Sequence, residues 1–186
     1  MQLDLIRHGE IEGKYKYCGV TDVKLTDVGW QQMLKACDRP NNWKKIITSP
    51  LSRCRVFAEH LSEVLELPLE TDSRWQEMNF GRWDGLSALE IMEFDEKNLQ
   101  NFWVNPYKNN PPGGESLKSM QSRVLQAWQD LLHSQKSSLV ITHGGPMRII
   151  HCHVDNYPLH RLMNIPMPYA GMQSYKHPSL NAELSV

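Results

Sequence analysis

The sequence predicts an α/β protein, a three-layer α/β/α arrangement around a mostly parallel central sheet. Two observations predict it. Short apolar runs of strand length alternate with longer stretches of helical periodicity, the pattern of a layered α/β fold. Two of the strand-like runs also end alike, in Ile6-Arg7-His8-Gly9 and Thr142-His143-Gly144-Gly145. In open parallel sheets, ligands bind outside the carboxyl ends of the strands.

The elements follow in order. Leu3-Asp4-Leu5-Ile6 reads as a buried strand that stops at Arg7-His8-Gly9. A loop with Gly13 and Gly19 leads to Leu25-Thr26-Asp27-Val28-Gly29, where Thr26 or Asp27 would cap a helix running to about Cys37. Residues 44–48 (KKIIT) read as a second strand. Ser49-Pro50 then reads as an N-cap with proline at the first helical position. Phe57, Leu61 and Leu65 give the following helix one apolar stripe. Pro68 to Thr71 is a third short strand, and residues 74–86 are irregular and dense in Trp, Gly and acid. Two weaker helical pieces span about 87–103. Residues 105–114 (NPYKNNPPGG) form a loop too short for a linker, so the chain reads as a single domain over residues 1–186. Ser116 caps a helix to about His133 with Val124, Trp128, Leu131 and Leu132 inside. Residues 138–142 (SLVIT) are a fourth strand, and a helix follows to about His153. Residues 162–176 hold one or two further strands.

Composition narrows the function. The 186 residues include 20 Lys+Arg and 21 Asp+Glu, a formal net charge of −1. That balance lacks the basic footprint of a nucleic-acid binder. A chain of this length buries a substantial core without staples. Cys18, Cys37, Cys54 and Cys152 are widely spread with no C-x-x-C pair, so zinc-ribbon and thioredoxin motifs are absent, and a reducing cytoplasm is the expected setting. Asp4, Arg7 and Glu10 leave no room for a signal-peptide core in the first ten residues. No apolar run approaches the roughly 18 residues of a membrane span. Neither nucleic acid nor membrane is an expected partner.

The chemistry-bearing residues gather at the strand ends. Arg7 offers a planar fork of donors suited to phosphate, and Gly9 lets the backbone approach a ligand closely. His143 repeats the arrangement, and in a parallel sheet both loops open on one edge. Ser49-Pro50-Leu51-Ser52-Arg53 adds a third strand-to-helix turn there, with Arg53 in the first helical turn. Helix N-termini attract anions. Two arginines, two histidines and helix N-termini describe a dianion site. The stretch from Glu77 to Gly85 adds a carboxyl among aromatic residues, where the ionised form is disfavoured and a proton can be donated near neutrality. By residue type alone, Glu77, Asp84 and Glu90 are equivalent candidates. His151-Cys152-His153 resembles a metal-ligand run, but residues i and i+2 of a helix point to different faces, so no metal site is expected. His60, His133, His160 and His177 read as solvated or structural.

Six motifs in order then resemble one known family. Leu5-Ile6-Arg7-His8-Gly9-Glu10, Leu25-Thr26-Asp27-Val28-Gly29, Ser49-Pro50-Leu51-Ser52-Arg53, Glu77-x-x-Phe80-Gly81-x-Trp83-x-Gly85, Pro112-Gly113-Gly114-Glu115-Ser116 and Thr142-His143-Gly144-Gly145 are similar to those of the histidine phosphatase (phosphoglycerate-mutase-like) superfamily. The short length, Gly19-x-x-Asp22 and the P-G-G-E-S loop look most like its alpha-ribazole phosphatase subfamily, which removes a 5′-phosphate during cobalamin nucleotide-loop synthesis. The resemblance implies His8 as a nucleophile that becomes phosphohistidine. It implies Arg7, Arg53 and His143 as holders of the phosphoryl oxygens, and Glu77 as acid and then base. Gly19, Val20 and Thr21 would contact the substrate, a small phosphorylated metabolite, with no cofactor and no metal. The sequence departs from the family pattern at Lys24, Cys54, Trp75 and Asp84. Phosphoglycerate mutase and a non-catalytic phospholigand-binding module are the rival readings.

Overall fold

In a computed structural model the chain forms a five-stranded sheet covered by helices on both faces, and the structure describes residues 1–13 and 15–176. The strands are β1 (Gln2–Arg7), β2 (Lys45–Thr48), β3 (Leu69–Thr71), β4 (Ser138–Thr142) and β5 (Met172–Lys176). Their spatial order is β3-β2-β4-β1-β5. The first four are mutually parallel, and β5 joins β1 antiparallel. The tail expectation of one or two strands resolves to β5 alone. Leu159–Asn164 is instead a 3-10 helix.

Five helices connect the strands: α1 (Asp27–Cys37), α2 (Ser52–Leu65), α3 (Ala88–Val104), α4 (Leu117–Ser134) and α5 (Gly144–Val154). Side chains alternate across the sheet, so adjacent apolar residues feed different cores. Ile6, Ile46, Leu139 and Ile141 face Met33 of α1 and Phe57 and Leu61 of α2. Leu3, Leu5, Ile47 and Val140 face Val124, Trp128 and Leu131 of α4 and Met147 and Ile150 of α5. Burial on both faces explains why the strand runs are continuously apolar. Asp4 is a charged exception, fully buried within β1. Its carboxylate accepts from the Trp43 indole N–H at 2.7 Å and from the Gln2 amide at 2.9 Å, so the buried group is satisfied.

Helix starts follow local chemistry, with one correction. Thr26 caps α1 through the Gly29 N–H, and Ser116 caps α4 through the Ser119 N–H. Ser49-Pro50 does not cap α2, because Leu51 occupies the N-cap position and makes no side-chain cap bond. Asp22, from a distant loop, accepts instead from the Ser52 N–H at 2.7 Å. The two helical pieces read at 87–103 are present within α3, separated by a kink at Asp95, whose φ of −148° and ψ of 33° are non-helical. The Asp95 carboxylate accepts from the Trp83 indole N–H at 2.8 Å, a tertiary bond at the break. Leu132 is half-buried and packs against the core on the inner side of α4. His177 lies outside the described residues. No helix among the described residues is long and apolar enough to cross a membrane.

Phe57 is fully buried and meets Trp30 edge-to-face, with ring centroids 5.2 Å apart. Phe57→Ala should therefore destabilise the fold by about 3–5 kcal/mol, measured by urea denaturation. A loss below about 1 kcal/mol would contradict this packing.

Candidate active site

Three parallel strands end on the same edge. The register pairs Arg7 with Thr142 and Thr48 with Ile141. The next residues, His8, Ser49 and His143, therefore meet just beyond the sheet. The His8 N–H donates to the Thr142 carbonyl at 2.9 Å, and the Ser49 N–H to the Ile141 carbonyl at 3.0 Å. The two imidazoles stand edge-to-face with centroids 5.2 Å apart.

Hydrogen bonds fix the tautomers of both rings. His8 is 4% exposed, and its Nδ1–H donates to the Gly9 carbonyl at 2.8 Å. Nε2 then carries the lone pair. In His143 the roles reverse. Its Nδ1 accepts from the Arg53 Nε–H at 3.2 Å, so its proton sits on Nε2 and is donated to the Ser49 hydroxyl at 2.8 Å. Burial holds both imidazoles well below the usual histidine range. Nearby Arg7 and then Arg53 push His8 further down, and Arg53, His8 and Arg7 do the same to His143. Both rings are neutral near pH 7, as an attacking imidazole must be.

The arginines differ in their commitments. Arg53 is fully buried, and its guanidinium donates to His143 and to the carbonyls of Cys18, Gly19 and Thr21. Arg7 donates through Nη1 to the Met167 carbonyl and lies 4.3 Å from the Tyr169 ring centre. Its buried Nε has no hydrogen-bond partner. Burial lowers the Arg7 proton affinity and the charge of Glu77 restores part of it. A buried donor without a partner is costly, and an incoming oxyanion would satisfy it.

The three equivalent carboxyls separate by position. Glu90 closes a capping box with Ser87 at the start of α3. Asp84 accepts from the N–H groups of Val20 and Thr21, each at 2.9 Å. Glu77 reaches the site, where its carboxylate accepts from the Gly145 N–H at 3.1 Å. A Cβ on Gly145 would lie 2.1 Å from Glu77 Oε1, so only glycine admits the carboxylate there. Gly19, Val20 and Thr21 form the loop that holds Arg53, and Asp84 pins that loop from behind.

Several contributors escape sequence reasoning. Arg123 of α4 binds Glu115 bidentately, at 2.8 and 2.7 Å. It also donates to the carbonyls of Arg74, Gln76 and Glu77. The glutamate of the P-G-G-E-S loop thus secures the backbone that presents Glu77. Tyr169 lies 5.8 Å from the His8 ring. Nothing in the local pattern singles out either residue. Of the four departures from the family pattern, Cys54 places its Sγ 3.6 Å from His143 Nε2, with burial pushing its thiol pKa up, and Trp75 is fully buried. Lys24 borders a separate hollow with Trp30 and Arg55. His151 pairs with Asp155 at 3.0 Å, and Cys152 is buried. Among the described residues, no group of three or more His, Cys, Asp or Glu is placed to hold a metal ion.

Residues 3–182 match the family described as the histidine phosphatase superfamily (branch 1). Phosphoserine phosphatase 1 of Hydrogenobacter thermophilus is 30% identical over 160 residues, covering 82% of this chain and 75% of that one. The solved structure of Bacillus stearothermophilus YhfR is similar at a TM-score of 0.86 and 27% identity, covering 93% of this chain and 89% of that one. The alpha-ribazole phosphatase of Shigella flexneri has a TM-score of 0.83 at 22% identity, covering 94% and 89%, a likeness of fold. The chain spans 43% of the length of a longer mycobacterial relative, bifunctional protein Rv2228c of Mycobacterium tuberculosis.

The neutral histidines carry a pH signature. In the unfolded chain they take up protons near the ordinary value of 6.5, whereas in the fold they do so only well below it. Their contribution is complete above about pH 6.5 and is lost as pH falls. The slope is at most about 1.4 kcal/mol per pH unit for each histidine. Urea denaturation in phosphate-free buffer should show stability falling from pH 7.5 to 5.5, and His8→Gln should flatten that fall. Equal slopes in the two proteins would refute it.

Proposed function

The chain belongs to the histidine phosphatase superfamily, branch 1, and from that premise we propose that it is a metal-independent phosphomonoesterase working through a phosphohistidine at His8. The observation that carries the reading is the free Nε2 lone pair of His8, fixed by the Nδ1–H bond to Gly9, beside the unpartnered Nε–H of Arg7. A binding module needs no such nucleophile.

In the first step Nε2 of His8 attacks phosphorus as the bond to the leaving oxygen breaks, and Glu77 gives its proton to that oxygen. In the second, Glu77 takes a proton from water. The water oxygen attacks phosphorus and the N–P bond breaks. His8 then recovers its lone pair and phosphate departs. Charge spreads over the equatorial oxygens during each transfer, so positioning and electrostatic clamping supply most of the catalysis. Arg7, Arg53 and His143 are the clamp. Guanidinium groups supply the positive charge that a metal ion supplies elsewhere, so exhaustive chelation should leave turnover intact. Loss with EDTA and recovery with Mg²⁺ would overturn metal independence.

The substrate is a small phosphorylated metabolite. The motifs favour alpha-ribazole 5′-phosphate, and the named activity of the Hydrogenobacter relative makes phosphoserine the comparison. Side-by-side kcat/KM values decide between them, and isomerisation of 3-phosphoglycerate without phosphate release would favour the mutase reading.

Glu77 is tested through its two roles. An alkoxide needs a proton to leave, whereas p-nitrophenolate does not. General acid–base assistance is typically worth about 10²–10⁴-fold. Glu77→Gln should lose alkyl phosphatase activity by that order. With p-nitrophenyl phosphate it should give a burst of p-nitrophenolate and an acid-labile phosphohistidine at His8, seen by rapid quench and mass spectrometry. His8→Ala should abolish turnover and keep the fold. Wild-type behaviour of either variant would refute its assigned role.

A further inference from the structure

Beyond the two motif arginines, a third guanidinium borders the same space. We infer that Arg148 is a substrate contact, donating to a phosphoryl oxygen from the Glu77 side of the site; the inference rests on the phosphatase reading.

Arg148 stands in the first turns of α5, three residues past the Gly144-Gly145 pair. Its Nε–H donates to the Ile165 carbonyl at 2.8 Å, which fixes the plane of the group. No hydrogen bond engages its two terminal amino groups among the described residues. A Cβ built on Gly144 would lie 3.0 Å from Arg148 Nη1 and 3.6 Å from Arg7 Nε. One small volume over Gly144 is therefore lined by Arg148 and by the very Arg7 nitrogen that lacks a partner. A single tetrahedral oxyanion can engage both.

Glu77 does not occupy that volume. Its two carboxylate oxygens accept from the N–H groups of Met78 and Gly145, at 2.9 and 3.1 Å. Arg148 and Glu77 border one pocket, whose apolar wall includes Met78, Phe80, Met120 and Leu162. Arg148 thus borders both the pocket of Glu77 and the volume over Gly144 that Arg7 Nε lines. Electrostatics favour the same occupant. Burial disfavours the cationic form of Arg148, Glu77 opposes that effect, and the charge of Arg7 adds to it. Arg7, Arg53 and Arg148 outnumber the one carboxylate among them, and a dianion brings the balance close to neutral. Charge-assisted hydrogen bonds in so dry a setting are the strong ones.

The test uses Arg148→Met, Arg148→Lys and Gly144→Ala in the full chain. Wild-type hydrolysis of p-nitrophenyl phosphate comes first, because its absence would overturn the phosphatase reading itself. The decisive measurements are the inhibition constant of inorganic phosphate, KM and kcat, and the rise in Tm on adding phosphate. Arg148→Met should weaken phosphate binding about 10–100-fold, and Arg148→Lys should lie between it and wild type. Gly144→Ala keeps the bond from Arg148 to Ile165 but places a methyl group in the oxyanion's volume. It should weaken phosphate as well, with an unchanged Tm in the absence of phosphate. Because that methyl also approaches Arg7 Nε, Gly144→Ala reports on the shared volume and the Arg148 variants assign the contact. A purely structural role for Arg148 predicts wild-type phosphate inhibition in folded Arg148→Met, and that result would overturn the proposal while the phosphatase reading stands. Should Arg148→Met fail to fold, Arg148→Lys decides, and a wild-type inhibition constant there would overturn the proposal.

Discussion

The parallel pairing of β1 with β4 is the constraint on which the site depends. Its register sets Arg7 opposite Thr142, and the chain leaves both strands with a histidine. A slip of one residue would turn every side chain of β1 to the other face. It would exchange Ile6 for Leu5 in the α1/α2 core and carry His8 away from His143. The two hydrophobic cores therefore hold the register. Leu5 and Ile6 are both fully buried, on different faces, so neither tolerates the exchange. Packing energy far from the chemistry fixes a 5.2 Å separation between two imidazoles.

Once the rings are placed, their protonation follows from burial and neighbouring charge. An imidazolium beside Arg7 and Arg53 would be a third cation in a dry volume, so both rings stay neutral. Each neutral ring has one donor and one acceptor nitrogen, and the partners choose which is which. A carbonyl beside His8 claims a proton on Nδ1, whereas a guanidinium beside His143 demands a lone pair there. The sequence motif is nearly the same at the two strand ends, yet the proton sits on Nδ1 of His8 and on Nε2 of His143, so His8 keeps a free acceptor nitrogen while both nitrogens of His143 are engaged.

The irregular middle of the chain supports this edge from outside. Asp84 draws the N–H groups of Val20 and Thr21 towards itself, which turns the carbonyls of Gly19 and Thr21 onto Arg53. One short aspartate reaches both amides. On the other side, Arg123, held by Glu115, grips the carbonyls of Arg74, Gln76 and Glu77. Breaking such a partly buried pair leaves an uncompensated charge beside the Glu77 backbone. Two carboxylates that touch nothing reactive thus determine where an arginine and a glutamate of the site can be.

Some of this is determined by the sequence alone. Continuous apolar runs declare the strands, because a sheet covered on both faces needs apolar residues at every position. The Thr26 and Ser116 caps are legible because capping is a contact within three residues. The repeated His-Gly at two strand ends declares the site, since parallel strands present their carboxyl ends together. Tertiary structure decides the rest. Ser49 reads as a helix cap until folding brings His143 within 2.8 Å of its hydroxyl. Asp22 caps α2 from 30 residues away. Glu77, Asp84 and Glu90 are chemically alike, and only the fold assigns one to the site, one to a loop and one to a helix start. Arg123 and Arg148 lie on helices whose period marks them merely as polar positions. Local pattern records which backbone conformation a residue favours and which face it presents. Which distant group it will meet depends on chain crossings that no short window contains.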